Sequence, residues 1–113
     1  MKLGEVKPES SRLIAFFDSS IPRHMFFSVN RRLKMIGYRG VWAPASPVGG
    51  GAGLDEAARY CSKRGIPVIV TMRRSAVGLR ELHGVRVIYL DRRARRSTNK
   101  VIARIFEVLR SEV

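Results

Sequence analysis

The chain has 113 residues, 45% of them hydrophobic, which is enough for one domain with a buried core and excludes a disordered tail. Cys61 is the single cysteine, which excludes an internal disulfide, and no apolar run approaches the ~20 residues that span a bilayer. The 22 Lys and Arg residues outnumber the 9 Asp and Glu residues, and the resulting formal net charge of +13 is too unbalanced for a surface of compensating salt bridges.

The first half of the chain alternates between strand and helix patterns. Residues 1–11 are polar and predict a flexible leader, so the domain is expected over 12–113, and the lack of a signal-peptide pattern predicts a cytoplasmic protein. The apolar run at 12–17 predicts a strand buried on both faces, and 38–42 predicts a second, short strand. Between them, helical spacing predicts a helix that ends at Gly37. Its apolar positions are Met25, Phe26, Val29, Leu33 and Ile36.

The second half repeats the alternation. A glycine-rich loop at 43–53 leads to a helix that ends at Gly65, and its composition favours a mobile flap over a phosphate cradle. The runs 67–71 and 85–90 predict two further strands, because they are rich in β-branched residues. A short helix or turn is expected at 75–82.

A final helix is predicted after Ser97, a favourable N-cap residue. Four strands separated by helical segments predict an α/β fold with a mostly parallel sheet. Ligand sites in such sheets form beyond the carboxyl ends of the strands, above all where the strand order reverses. This rule selects Asp18, the segment 71–74 and Asp91, because each directly follows a strand.

Carboxylates at these positions are candidates for catalysis. Acidic side chains at strand ends hold Mg²⁺ or Mn²⁺, which activates water and neutralises the charge that develops on a phosphodiester. The candidates are Asp18, Asp91, and Asp55 or Glu56 at the start of the second helix. Structural explanations stay open: Asp18 as an N-cap, Asp55 and Glu56 as favourable charges at a helix N-terminus, and Asp91 as the partner of a following arginine.

The basic surplus favours a polyanionic partner, with nucleic acid first, an acidic protein second and a membrane surface last. One group of basic residues lies on the first helix, and another lies beside Asp18 at the rim formed by the strand ends. We expect the rim residues to bind phosphate; the alternative is that they are ordinary solvated residues of surface turns. The candidate phosphate-binding residues are Arg23, Arg31, Arg73, Arg74, Arg92, Arg93, Arg95 and Arg96.

The remaining side chains offer little chemistry. Cys61 falls on an apolar stripe and predicts a buried structural thiol. The phenylalanines, Phe27 included, mostly fit core positions, whereas Tyr38, Trp42 and Tyr89 are the better candidates for stacking on bases.

Five segments follow one another along the chain: IAFFDSSIPRHM, GYRGVW, LDEAARYCSKRGIPVIVT, VRVIYL and RSTNKVIARIFEVL. In this order, over about residues 12–110, the chain resembles the short single-domain PIN-like proteins of the PIN nuclease superfamily. The resemblance implies a three-layer α/β/α, Rossmann-like domain with a four-stranded sheet in the order of about 2-1-3-4. It also implies proteins that often pair as homodimers and are sometimes linked to toxin–antitoxin loci.

The resemblance identifies Asp18 and Asp55 as the metal-binding acids of the family, with Ser19 and Ser20 a partial match at the two positions after the first of them. The family's strand-end Thr-Arg-Asp reads here Thr71, Met72 and Arg73, so that a cation stands where the family has an acid. An arginine repels the divalent ion that an acid would bind.

Three functional hypotheses follow. The first is a PIN-like nucleic-acid-binding protein, for RNA more than DNA, whose metal centre is weakened or lost. The second is an active Mg²⁺- or Mn²⁺-dependent endoribonuclease of toxin type that uses Asp18, Asp55 and Asp91. The third is a basic interaction module for an acidic protein such as an antitoxin.

Overall fold

The computed structural model of the chain describes residues 11–91 and 97–111. The predicted leader lies outside these ranges apart from Ser11, as do Arg92, Arg93, Arg95 and Arg96. The strands of the described part are β1 (Arg12–Phe17), β2 (Tyr38–Trp42), β3 (Val68–Thr71), β4 (Glu81–Leu82) and β5 (Val85–Tyr89). Its α-helices are α1 (Arg23–Met35), α2 (Leu54–Arg64) and α3 (Thr98–Arg110), and short 3-10 turns occupy Ala43–Ala45 and Arg74–Ala76.

The strands form one mixed sheet in the order β2-β1-β3-β5-β4. Neighbours from β2 to β5 are parallel, whereas β4 pairs with β5 in the antiparallel direction. The α/β class is therefore confirmed, but the predicted four-stranded sheet is wrong, because the segment expected as a short helix or turn contains β4. His83 and Gly84 both have positive φ, which suits a two-residue hairpin and folds β4 back onto β5. A two-residue strand is too short to display alternation in the sequence.

Helices cover both faces of the sheet. Phe17 and Val70 pack with buried residues of α1 and α3 in one core, and Phe16 and Ile69 pack with α2 in the other. The central strands β1 and β3 are buried on both faces and therefore consist of nearly continuous apolar runs. Cys61 lies in the second core as predicted, and burial raises the pKa of its thiol to about 12.

Local signals set the helix ends. Ser97 caps α3 as predicted, since its Oγ accepts a hydrogen bond from the Lys100 backbone nitrogen at 3.2 Å. Gly65 ends α2 in the left-handed conformation, with φ of 71°. None of the helices in the described ranges has the length and apolar character needed to cross a bilayer.

Candidate functional site

The carboxyl ends of β1 and β3 meet at the centre of the sheet. The chain leaves β1 through α1 on one face and enters β3 from α2 on the other, so the strand order reverses between these two strands. The Asp18 backbone nitrogen donates to the Val70 carbonyl oxygen at 3.1 Å. Asp18 and the segment 71–74 therefore lie side by side, as the sequence predicts.

Asp18 is buried, with its side chain 3% exposed, and both carboxylate oxygens have partners. Oδ1 accepts hydrogen bonds from the Ser20 hydroxyl and from the Ser20 backbone nitrogen, the latter at 2.9 Å. Oδ2 accepts from the Thr71 hydroxyl at 2.6 Å and forms an ion pair with Nε of Arg73 at 3.0 Å. Burial of a charged carboxylate is compatible with stability here because its charge and hydrogen-bonding capacity are both satisfied.

The two hydroxyls are themselves held in place. Ser20 Oγ accepts from the Met72 backbone nitrogen at 2.8 Å, and Thr71 Oγ1 accepts from the Arg73 backbone nitrogen at 3.1 Å. Each hydroxyl therefore donates to Asp18 and accepts from the turn after β3. This arrangement joins the two strand ends through side chains, and every buried side-chain nitrogen and oxygen of the described residues has a partner.

The interpretation of Asp18 as the N-cap of the first helix is wrong. Helix α1 begins at Arg23, and its N-cap residue is Pro22, which makes no side-chain cap. Asp18 instead stabilises the turn before it: its carboxylate binds the Ser20 nitrogen, and its carbonyl oxygen accepts from the Ile21 nitrogen at 3.1 Å.

Arg73 connects three segments of the chain. Besides its ion pair with Asp18, its guanidinium donates to Ser19 Oγ at 3.1 Å and to the Ala52 carbonyl oxygen at 3.0 Å. The side chain is 30% exposed, so part of the guanidinium still faces solvent. Arg73 thereby attaches the glycine-containing loop before α2 to the strand ends.

The residues around Asp18 do not fit a divalent ion. A cation already lies 3.0 Å from Oδ2, and a divalent ion bound there would be repelled by it. Within 11–91 and 97–111, no three His, Cys, Asp or Glu side chains converge as a metal-binding group. The Mg²⁺ or Mn²⁺ cofactor stays a prediction that the described contacts do not favour.

The other two candidate acids have different surroundings. Asp55 is exposed, makes an ion pair with Arg59 Nε at 3.1 Å and shares a hydrogen bond with His83 Nε2 at 2.6 Å. The hydrogen bond from His83 holds the pKa of Asp55 below its ordinary value, and the positive charge of Arg59 acts in the same direction. Asp91 is exposed just beyond β5. Of the predicted site residues, the structure brings Asp18, Ser20, Thr71 and Arg73 into contact and engages Asp55 elsewhere.

The described candidate phosphate-binding residues divide between two places. Arg74 is exposed next to Arg73 at the strand-end rim, while Arg23 and Arg31 are exposed on α1. The other four, Arg92, Arg93, Arg95 and Arg96, lie outside the described residues.

The three aromatic candidates, Tyr38, Trp42 and Tyr89, are partly buried, and their stacking on bases stays a prediction. Tyr38 packs against Phe106 at a centroid distance of 5.2 Å, and Trp42 stacks on Phe26 at 6.2 Å. Phe27, which the sequence favours as a core residue, is instead 49% exposed.

Sequence reasoning missed two features of the site. It treated Arg73 as a phosphate ligand and not as the partner of Asp18, and it matched Ser19 to the family pattern without expecting Ser19 or the Ala52 carbonyl oxygen to bind Arg73. The available signal was the cation two residues beyond Thr71, at the edge where Asp18 was expected. Comparison of the chain with protein-family models, with curated proteins and with solved structures found no match.

Proposed function

We propose that this is a PIN-like nucleic-acid-binding protein, for RNA in preference to DNA, in which an ion pair has replaced the metal centre. The observation that carries the proposal is the contact of Arg73 Nε with the buried Asp18 carboxylate at 3.0 Å. That contact neutralises the negative charge of Asp18 within the protein. It leaves a strand-end edge suited to binding anions and not to holding the metal that would cut them.

The charge balance supports a polyanionic partner. Pairing all 9 acids with cations would leave 22 − 9 = 13 Lys and Arg residues without an acidic partner in the chain. Arg73 and Arg74 lie at the reversal point of the strand order, where α/β proteins bind their ligands. Guanidinium groups bind phosphate in a bidentate manner, and here that role falls to the exposed Arg74, because the Arg73 guanidinium already donates to Asp18, Ser19 and Ala52. The preference for RNA rests on the resemblance to the short PIN-like proteins.

Binding of a fluorescently labelled single-stranded oligoribonucleotide, measured by anisotropy over a range of salt concentrations, tests the proposal. Each neutralised phosphate of a single strand contributes about −0.7 to the slope of log affinity against log salt, so three or more contacts give about −2 or steeper. A DNA oligonucleotide of the same sequence tests the preference for RNA. Affinity that does not change with salt would contradict the proposal.

A cleavage assay tests the lost metal centre. We expect no cleavage of the oligoribonucleotide by the wild-type protein in Mn²⁺. Cleavage that EDTA abolishes, and that disappears in Asp18→Asn at a temperature where circular dichroism shows this variant folded, would instead establish the divalent-metal-dependent ribonuclease.

A further inference from the structure

The exposed side of α1 carries a row of cations around one aromatic ring. Met25, Phe26, Val29 and Leu33 of this helix are buried. Arg23, Phe27, Arg31 and Lys34 are exposed and follow one another at intervals of three and four residues, so they lie along one side of the helix. We call these four residues the α1 stripe.

The stripe lies in an acid-free part of the chain. Between Asp18 and Asp55 the sequence contains no Asp or Glu, so neither α1, nor β2, nor the following loop supplies an acid. The last turn of α1 is basic as well, with Arg32 and Lys34. Cations grouped in this way produce a positive potential that attracts a polyanion.

Phe27 is exposed but held in position. Its ring lies 5.4 Å from the Phe26 ring between centroids, and Phe26 packs edge-on against the buried Phe17, also at 5.4 Å. The Arg23 guanidinium carbon lies 5.3 Å from the centroid of the Phe27 ring. An aromatic ring anchored in the core, partly open to solvent and flanked by cations is the arrangement on which proteins stack single-stranded bases.

The stripe begins near the proposed phosphate-binding edge. Helix α1 follows the Asp18 turn directly, so Arg23 lies at the carboxyl end of the sheet and Lys34 lies toward its other end. Thirteen residues of α-helix extend about 20 Å, at 1.5 Å per residue, which is room for several nucleotides.

The cations of the α1 stripe and the ring of Phe27 together indicate which ligand the stripe binds. A second copy of the chain docked by a two-fold axis would place these cations against themselves. A duplex keeps its bases stacked within the helix and offers phosphates and groove edges but no open base face. A single strand presents phosphates and open base faces, and it therefore matches both features of the stripe.

We infer that the α1 stripe binds a single-stranded nucleic acid, with a base stacked on Phe27 and phosphates on Arg23, Arg31 and Lys34. This inference rests on the proposed function. It adds that the bound strand runs along α1 and that the protein prefers unpaired bases to duplex.

The test compares four ligands of equal length: a labelled oligouridylate, its abasic counterpart, an RNA duplex and polyglutamate. Phe27→Leu keeps an apolar side chain but removes the ring, and we expect it to weaken oligouridylate binding about tenfold while leaving the abasic ligand within about twofold. Phe27→Trp restores a stacking surface and should bind oligouridylate at least as well as wild type. Val77→Ala is the matched control, because Val77 is 61% exposed outside the stripe and should have no effect.

Unfolding of each variant by circular dichroism checks that it keeps its fold, which we expect because Phe27 is half-exposed. Oligouridylate binding that is steeply salt-dependent but equal in wild type and Phe27→Leu would overturn this inference and leave the proposed function standing. Equal losses for the oligouridylate, the abasic ligand and polyglutamate would also overturn it, since the surface would then recognise charge alone or an acidic protein. Absence of binding to every oligonucleotide would overturn the proposed function and the inference together.

Discussion

The strand-end cluster of Asp18, Ser20, Thr71 and Arg73 and the α1 stripe are neighbours in the fold, since α1 follows the Asp18 turn directly, but their charged groups differ in what they contact. In the cluster the Arg73 cation is 3.0 Å from a buried carboxylate, and each polar group has a partner inside the protein. On the stripe, the cations are exposed on a helix without acids. Asp18, the buried acid that suggests catalysis in the sequence, is therefore engaged by contacts within the fold. The side chains on an ordinary amphipathic helix are the ones available to a ligand.

The largest effect is expected from Asp18→Asn, which removes the carboxylate charge from the cluster. Loss of one partner of a buried ion pair costs about 3 kcal/mol, because the Arg73 charge loses its counter-charge and one accepting carboxylate oxygen becomes an amide donor. For a domain of this size that corresponds to a fall in Tm of more than about 10 °C. Thermal unfolding followed by circular dichroism measures it.

Asp55→Asn is the matched control for that experiment, because the Asp55 ion pairs are exposed and should contribute little. Equal destabilisation by the two variants would mean that Asp18 is no more structural than a surface acid.

Arg73→Asp reverses the charge at the position where the resemblance places an acid. Two carboxylates would then face each other without a cation, so we expect a lower Tm than that of wild type, which Mn²⁺ should restore in part. Arg73→Gln, which removes the charge without adding a ligand, should be destabilised but gain nothing from Mn²⁺. Thermal unfolding with and without Mn²⁺ measures the change in Tm of each variant. An equal change in Arg73→Asp and Arg73→Gln would contradict the prediction.

A smaller effect is expected on the stripe, where Arg31→Gln combined with Lys34→Gln removes two cations. The slope of log affinity against log salt for single-stranded RNA should become shallower by about 1.4, at about 0.7 per phosphate contact. Unfolding should be unchanged, since both side chains are exposed. Lys63→Gln combined with Arg110→Gln removes the same charge outside the stripe and serves as the control. A slope reduced equally by both pairs would show that overall charge, and not the stripe, binds the phosphates.

The smallest effect concerns the pH dependence of Asp55. Its pKa in the folded protein is lowered from 3.8 by His83, so this contact stabilises the fold above pH 3.8 and is lost as the pH falls through the lowered value. Asp55→Asn should remove this part of the acid dependence, and added salt should weaken it, because the pair is exposed. Urea unfolding across the acid range, at low and high salt, measures it. If the free energy of unfolding changed with pH identically in the wild type and in Asp55→Asn, the contact between Asp55 and His83 would contribute nothing to the acid dependence.

Much of the fold was predictable because it depends on local patterns. The apolar runs of β1, β3 and β5 are long enough to display burial on both faces, and the Ser97 cap and Gly37 lie where the patterns of their helices change. The meeting of Asp18 with residues 71–74 was also predictable, since parallel strands place their carboxyl ends at one edge. Strand β4 was missed because two residues show no period, and its position depends on pairing with β5.

The amino-acid sequence by itself determined the charge surplus, the α/β alternation and the position of an acid after the first strand, because composition and periodicity are properties of the chain. Only the tertiary structure decided that Arg73 neutralises that acid and that Phe27 is exposed. Both outcomes depend on which side chains meet across segments distant in sequence, and burial and pairing are settled only when those segments pack.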